Sequence, residues 1–189
     1  MKLGLGLELY RAKHLDVPLD LVTAADRLGF HSVWTAEADG ADALSPLAFF
    51  AAHTSQIKLA TGVVQVSART PAATAMHALT IDQLAGGDRV IIGLGVSGPQ
   101  IVEGWYGQPW GSPNRRLRDY VSIMRQVVDR EAPVEHRGAE LSTRPAGCRI
   151  DFSALPSPIA PGPSNGNESS APRCSTGASR STTCRRIET

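Results

Sequence analysis

Four short apolar stretches recur along the chain, at Leu3–Leu9, Ser32–Glu37, Ile57–Val66 and Arg89–Val96, each rich in β-branched residues or glycine. Runs of this length and composition read as buried strands. Between them, at Pro18–Leu28, Ser45–Thr54 and Pro71–Leu84, apolar positions return every three or four residues. That period predicts helices, with Leu21, Ala25 and Leu28 forming the buried stripe of the first. Pro18 and Pro46 suit a first helical turn, Ser45 suits an N-cap, and Gly29 and Gly86 fall where helices end. A short helix around Gln100–Tyr106 follows the fourth strand. An amphipathic helix, Asn114–Arg130, comes next, with Leu117, Val121, Met124 and Val128 on its buried face. Strict alternation of strand and helix predicts a parallel sheet with right-handed crossovers. Four such units fit either the first half of a (β/α)8 barrel or a small doubly wound sheet. Periodicity does not separate the two.

From residue 142 onward the pattern stops. Ser, Pro, Thr, Arg and Gly dominate the segment to Thr189, and no apolar periodicity persists. Such a composition cannot bury enough surface to offset the ordering of its backbone. The expected organisation is therefore a folded region, 1–141, followed by a low-complexity tail, 142–189, that is disordered or out of frame. The three cysteines, Cys148, Cys174 and Cys184, all lie in that tail and show neither a disulfide framework nor a zinc spacing.

Charge narrows the function classes. The net charge is +1, with no basic block outside the last residues, so neither a nucleic-acid groove nor an anionic membrane surface is expected. No apolar run is long enough to span a bilayer, and the N-terminus reads as a strand rather than a signal peptide. A cytoplasmic protein is the default.

One motif tests a common chemistry. Gly93-Leu94-Gly95-Val96-Ser97-Gly98 matches G-x-G-x-x-G. A dinucleotide turn, however, belongs after the first strand, opens a substantial helix and precedes an acid at the end of the next strand. Here it follows the fourth strand, its helix is short, and Asp119 lies inside a helix. The context fails. Side-chain-free positions at Gly93 and Gly95 could instead leave room above the sheet, with the amides of Val96, Ser97 and Gly98 and the Ser97 hydroxyl facing a phosphate. The competing reading is that these glycines only permit close packing.

The segments WTAEADGADALSPLAFFAAH, KLATGVVQVSART and RVIIGLGVSGPQIVEGWYG, followed by RLRDYVSIMRQVV and PVEHRG, occur in that order between Trp34 and Gly138. Together they resemble the luciferase-like monooxygenase superfamily, and most of all its branch that uses the deazaflavin coenzyme F-420, which includes methylenetetrahydromethanopterin reductases. The resemblance implies an α/β fold of the TIM (β/α)8-barrel type, with about four β-α units, its first half, present in this chain. It implies an active site at the C-terminal ends of the strands, F-420 or alternatively FMN as cofactor, and a small organic substrate. Glu37 matches an acidic position beside the cofactor ring, and Gly62, Val63 and Val64 match a third-strand bulge that backs the ring, often through a cis peptide. Gly95, Val96, Ser97 and Gly98 match the loop on the phosphate side. Glu103 matches an acidic position that could be catalytic, and Arg69 and Thr70 resemble a polar pair after strand three.

Some positions carry no such role. Ala38 stands where some deazaflavin-dependent sugar-phosphate dehydrogenases have a histidine, which argues against that subfamily. Trp105, Tyr106 and Trp110 are expected at the rim, and His53 and His77 as structural residues. Glu37, Asp39 and Asp42 are expected to be local charge rather than a metal centre. A half-barrel would also leave an unpaired edge on its fourth strand, which favours aggregation or self-pairing; a homodimer is the partner considered. Such a chain could be catalytically inactive.

Overall fold

A computed structural model of the protein describes residues 1–9 and 14–144. Apart from residues 142–144, the expected change of character after 141 lies outside the described residues. The elements run β1 (Gly4–Gly6), α1 (Leu19–Arg27), β2 (Ser32–Ala36), α2 (Ser45–Ala51), β3 (Lys58–Gln65), α3 (Pro71–Leu84) and β4 (Val90–Gly95). They continue with α4 (Pro99–Val102), α5 (Pro113–Asp129), β5 (His136–Arg137) and β6 (Ser142–Thr143).

The four main strands are all parallel and lie in the order β1-β2-β3-β4. Each strand sits beside its predecessor, so the order never reverses and there is no switch point of the kind a doubly wound sheet needs to bind dinucleotides. Right-handed crossovers that always advance in one direction put their helices on one face of the sheet. The packing agrees. Val33, Leu59 and Val64 share one core with Val22 and Ala25 of α1, Leu47, Phe50 and Ala51 of α2, and Ile81 of α3. Val22, Val33, Leu47, Phe50, Ile57 and Leu59 are fully buried, and each such side chain contributes about 1.5–3 kcal/mol of apolar transfer. A second cluster, Ala75, Ile123 and Val127, joins α3 to α5. The β5–β6 hairpin follows, so ordered pairing extends two residues past the expected boundary.

Two helical stripes differ from expectation. In α1 the buried residues are Val22, Ala25 and Asp26, while Leu21 and Leu28 are exposed. The reason is Asp26, whose carboxylate accepts hydrogen bonds from the amides of Ser55, Gln56 and Ile57 at the entry to β3. This anchor rotates the helix towards the acid. In α5 the buried face is Arg116, Asp119, Tyr120, Ile123 and Val127, and Val128 is exposed. There Asp119 accepts the amides of Glu140 and Leu141 and a hydrogen bond from His136 Nε2 at 3.1 Å, fastening the hairpin to the helix. A pattern search counts apolar residues, and here charged ones hold the buried positions.

Capping also differs in one place. Ser45 is the first helical residue of α2, and Asp42 caps it by accepting the amides of Leu44 and Ser45. Gly29 and Gly86, at φ 75° and 88°, do end α1 and α3 in the left-handed conformation that glycine adopts without strain.

Candidate functional site

Parallel strands bring their C-terminal ends to one side, and several of the singled-out residues meet there. Glu37 follows β2 directly and is 7% exposed. Its Oε1 accepts the Gln65 amide at 2.7 Å and Arg69 Nη1 at 2.6 Å, and its Oε2 accepts the Ala43 amide at 3.1 Å. Glu37 is therefore neither a solvated strand-end acid nor a free base. It ties the β2–α2 loop, the end of β3 and Arg69 into one unit. Burial alone would lower the Arg69 pKa, but the hydrogen bond and charge of Glu37, with Asp42 behind it, raise it above its usual value.

The third-strand bulge is present. Thr35 pairs with Thr61 but Ala36 with Val63, and on the other side Thr61 pairs with Ile92 but Val64 with Leu94. Gly62 and Val63 thus face the single residue Gly93. The Thr61 hydroxyl fills the broken ladder, accepting from the Gly93 amide at 2.9 Å and donating to the Gly93 carbonyl at 3.1 Å. Every peptide bond among the described residues is trans, so the bulge forms without the expected cis bond.

The glycines of β4 serve the bulge. A Cβ on Gly93 would lie 2.3 Å from the Thr61 carbonyl oxygen and 2.6 Å from that of Gly62. A Cβ on Gly95 would lie 2.6 Å from Val63 Cγ1. The expectation that these positions leave empty room is corrected: the bulge occupies it. The open surface is at Gly62 itself, which is exposed and whose Cβ would meet only the Thr35 carbonyl oxygen at 3.6 Å.

Beyond β4, Ser97 is exposed and holds φ 58°, a left-handed conformation uncommon for serine. The amides of Val96, Ser97 and Gly98 have no hydrogen-bond partner among the described residues, and α4 beyond them is a single turn. Glu103 lies exposed at the end of α4, where its Oε1 accepts the Trp110 amide at 3.3 Å. It is not bonded to the Glu37 cluster.

Three site residues were not assigned a cofactor role from the sequence. The Gln65 amide nitrogen donates to the Ala38 carbonyl at 3.0 Å and sits 3.4 Å from that of Glu37. Two carbonyls on that side fix the amide's orientation, which leaves its buried Oε1 without a partner among the described residues. Tyr106 donates its hydroxyl to the same Ala38 carbonyl at 3.3 Å, and burial together with the Glu37 charge raises its pKa. Tyr120 donates to the Arg69 carbonyl and fixes the loop entering α3. A polar Gln65 inside the apolar run Ile57–Val66 was the available signal. His53 bonds the Phe49 carbonyl one turn back in α2.

The profile of the luciferase-like monooxygenase family matches residues 5–185. The chain belongs to this family. A Mycobacterium tuberculosis protein, named provisionally as a coenzyme F-420-dependent oxidoreductase, is 54% identical over 138 residues, 73% of this chain and 40% of the relative. The coenzyme F-420-dependent tetrahydromethanopterin reductase of Methanopyrus kandleri superposes with a TM-score of 0.65 at 25% identity, covering 77% of this chain and 45% of that one. The oxygenating constituent of 3,6-diketocamphane monooxygenase from Pseudomonas putida, in complex with FMN, gives a TM-score of 0.67 at 20% identity. It covers 85% of this chain and 48% of its own, and at that identity shares the fold alone. The luciferase-like chain thus spans less than half the length of these relatives. Among its described residues no helix is long and apolar enough to cross a membrane.

Proposed function

We propose that the described region is the first four β-α units of an eight-stranded barrel and carries part of a site for hydride transfer between coenzyme F-420 and a small organic substrate. The observation that carries this reading is the exposed Gly62 bulge, held rigid by Glu37 and Thr61 at the C-terminal ends of the strands. It offers a side-chain-free backbone surface of the kind a flat ring can lie against. The rest of the site fits the same group. The amides of Val96, Ser97 and Gly98, without a hydrogen-bond partner among the described residues and centred on a serine at positive φ, are the donors we assign to a phosphate. The buried Gln65 Oε1 lacks a donor among the described residues.

The cofactor, when bound, supplies the hydride donor or acceptor. The chain's own residues position and exclude. Gly62 and Val63 back the ring, whereas Val64, matched to the same bulge, is buried in the core under the helices. Glu37 holds the bulge through the Gln65 backbone amide while keeping Arg69 charged beside it. Val96, Ser97 and Gly98, with Gly95 allowing the close approach of Val63, hold the anionic end. Glu103, exposed at the end of α4 with its Oε1 on the Trp110 amide, is the carboxylate we assign to the substrate on the family resemblance. F-420 is preferred to FMN because the 54%-identical relative bears that name, whereas the FMN-bound neighbour shares only the fold.

A second reading is favoured by one observation. No residue of β4 is buried and Gly62 is exposed, so four strands alone leave a ring uncovered. On this reading the chain by itself is inactive. Titration of the purified chain with F-420 and with FMN, followed by absorbance and fluorescence, tests both readings. Saturable micromolar F-420 binding that Gly62→Val abolishes supports the first. FMN binding alone overturns the cofactor choice, and no binding to either supports the inactive reading.

A further inference from the structure

Helix α5 and the β5–β6 hairpin meet at a second cluster of polar side chains. Asp119 and Ser122 are one turn apart on α5, so they lie on neighbouring positions of one face. His136, in β5, sits between them. Its Nε2 is 3.1 Å from Asp119 Oδ1, and its Nδ1 is 3.3 Å from Ser122 Oγ. Gly138 permits this close approach of the hairpin, since a Cβ there would collide with the Asp119 carboxylate. These contacts fix which imidazole nitrogen holds the proton. Burial would raise the Asp119 pKa, but the amides of Glu140 and Leu141, with His136, outweigh it and hold the carboxyl below its usual range. An ionised carboxylate only accepts, so Nε2 of the neutral imidazole carries the proton and donates it. Nδ1 then keeps its lone pair and accepts from the Ser122 hydroxyl.

A hydroxyl bonded to a base, and that base oriented by a buried acid, is the arrangement that activates a serine nucleophile. It is recognised by geometry and roles, not by order along the chain. The surroundings suit the same chemistry. Ser122 lines a groove along α5 together with Leu117, Arg118, Val121 and Arg125. Arg118 and Arg125 are exposed, one turn before and one turn after the serine. A guanidinium at either place can stabilise an oxyanion that develops beside Ser122. Leu117 and Val121 are half-buried and offer a short acyl chain an apolar contact. The bonds to Asp119 are enough to fasten the hairpin, and Ser122 adds a nucleophile to them.

We infer that Ser122, His136 and Asp119 form a second catalytic site, which hydrolyses small carboxylic esters through an acyl-serine. Ser122 Oγ attacks the ester carbonyl carbon, and its proton passes to His136 Nδ1. The tetrahedral intermediate collapses, the bond from carbon to the alcohol oxygen breaks, and the alcohol leaves with the proton from Nδ1. Water then attacks the acyl carbon and gives a proton to Nδ1. The carboxylic acid departs as the bond to Oγ breaks, and Nδ1 returns the proton to Ser122. Nothing is oxidised or reduced, and water is the sole co-reactant. The site goes beyond hydride transfer and does not depend on which cofactor binds at the strand ends.

The purified full chain, treated with p-nitrophenyl acetate and separately with a fluorophosphonate, tests this by nitrophenolate absorbance and peptide mass spectrometry. The expected result is a covalent adduct on Ser122. Ester hydrolysis should fall at least about tenfold in both Ser122→Ala and His136→Gln, as loss of a nucleophile or of its general base requires. Glutamine at 136 can still donate to Asp119, and alanine at 122 favours the helix, so both variants should keep the far-ultraviolet circular dichroism spectrum. If His136→Gln does not fold, Ser122→Ala decides. An unmodified Ser122, an adduct that forms as fast in His136→Gln, or undiminished hydrolysis by Ser122→Ala would each overturn the inference.

Discussion

The two ends of the parallel sheet use buried charge in opposite ways. At the N-terminal end, Asp26 accepts the amides of Ser55, Gln56 and Ile57 and the Ser55 hydroxyl, and Asp82 accepts those of Asp88, Arg89 and Val90. Between them Arg89 donates to the carbonyls of Ile57, Thr54 and Ala85 and to the Thr54 hydroxyl. No side-chain polar atom of these three residues is left buried without a partner. At the C-terminal end, Glu37 and Arg69 form an ion pair of 2.6 Å, yet Gln65 keeps an oxygen with no partner among the described residues, Ser97 is held at positive φ and a bulge breaks the ladder. In β-α barrels the first end carries stability and the second carries chemistry. Satisfied polar groups have nothing left to offer a ligand. Unsatisfied and strained ones cost stability and are retained where something else completes them.

The largest effect should come from the N-terminal end. Arg89→Met strands three carbonyls and should lower unfolding free energy by about 4 kcal/mol in urea denaturation. A loss near zero would erase the contrast between the ends. Gly93→Ala comes next, because its Cβ would collide with two β3 carbonyls, and a loss of about 3 kcal/mol is expected in the same assay.

Asp26→Asn should cost about 2 kcal/mol at neutral pH, since one amide cannot serve all three backbone donors. Burial would raise the Asp26 pKa, but the amides of Ser55, Ile57 and Gln56 outweigh it and hold it below the ordinary 3.8. The folded pKa thus lies under the unfolded one. The stabilisation is complete above about pH 4–5 and disappears as pH falls through the folded value. Thermal melts from pH 7 to pH 2 should show that the difference between wild type and Asp26→Asn shrinks at the acidic end.

The smallest effect on stability should be at the other end. Gly62→Ala meets only ordinary contact and should shift stability by less than about 0.5 kcal/mol. If the bulge backs a ring, the same variant should weaken F-420 binding about tenfold, read by fluorescence titration. Two glycines one strand apart would then differ in opposite senses, Gly93 for folding and Gly62 for binding. A Gly62→Ala variant with unchanged affinity would remove the bulge from the site.

Much of the architecture was legible in the chain. All four strands, the three helices α1, α2 and α3, the short α4 and the long α5 lie within a few residues of their predicted places, because apolar periods of two and 3.6 are local properties. What escaped were the helical positions where a charged side chain is buried. Asp26, Arg116 and Asp119 hold interior sites that a hydrophobic template assigns to their apolar neighbours. Their partners lie well away along the sequence, Ser55 to Ile57 in one case and Glu140 and Leu141 in another. The site divides the same way. Glu37, the Gly62–Val64 bulge and the Gly95–Gly98 loop could be placed at strand ends, and the link from Glu37 to Gln65 and Arg69 could not.

The sequence by itself determined which segments become strands and helices and that the strands run parallel, since those follow from spacing along one stretch of backbone. Only the tertiary structure decided that the strands lie in unbroken order, that Gly93 and Gly95 accommodate a bulge rather than an empty space, and that Glu37 is a buried tie. The reason is physical. Hydrogen bonds and close contacts between residues some thirty positions apart depend on how strands register against one another, and no local pattern encodes that register.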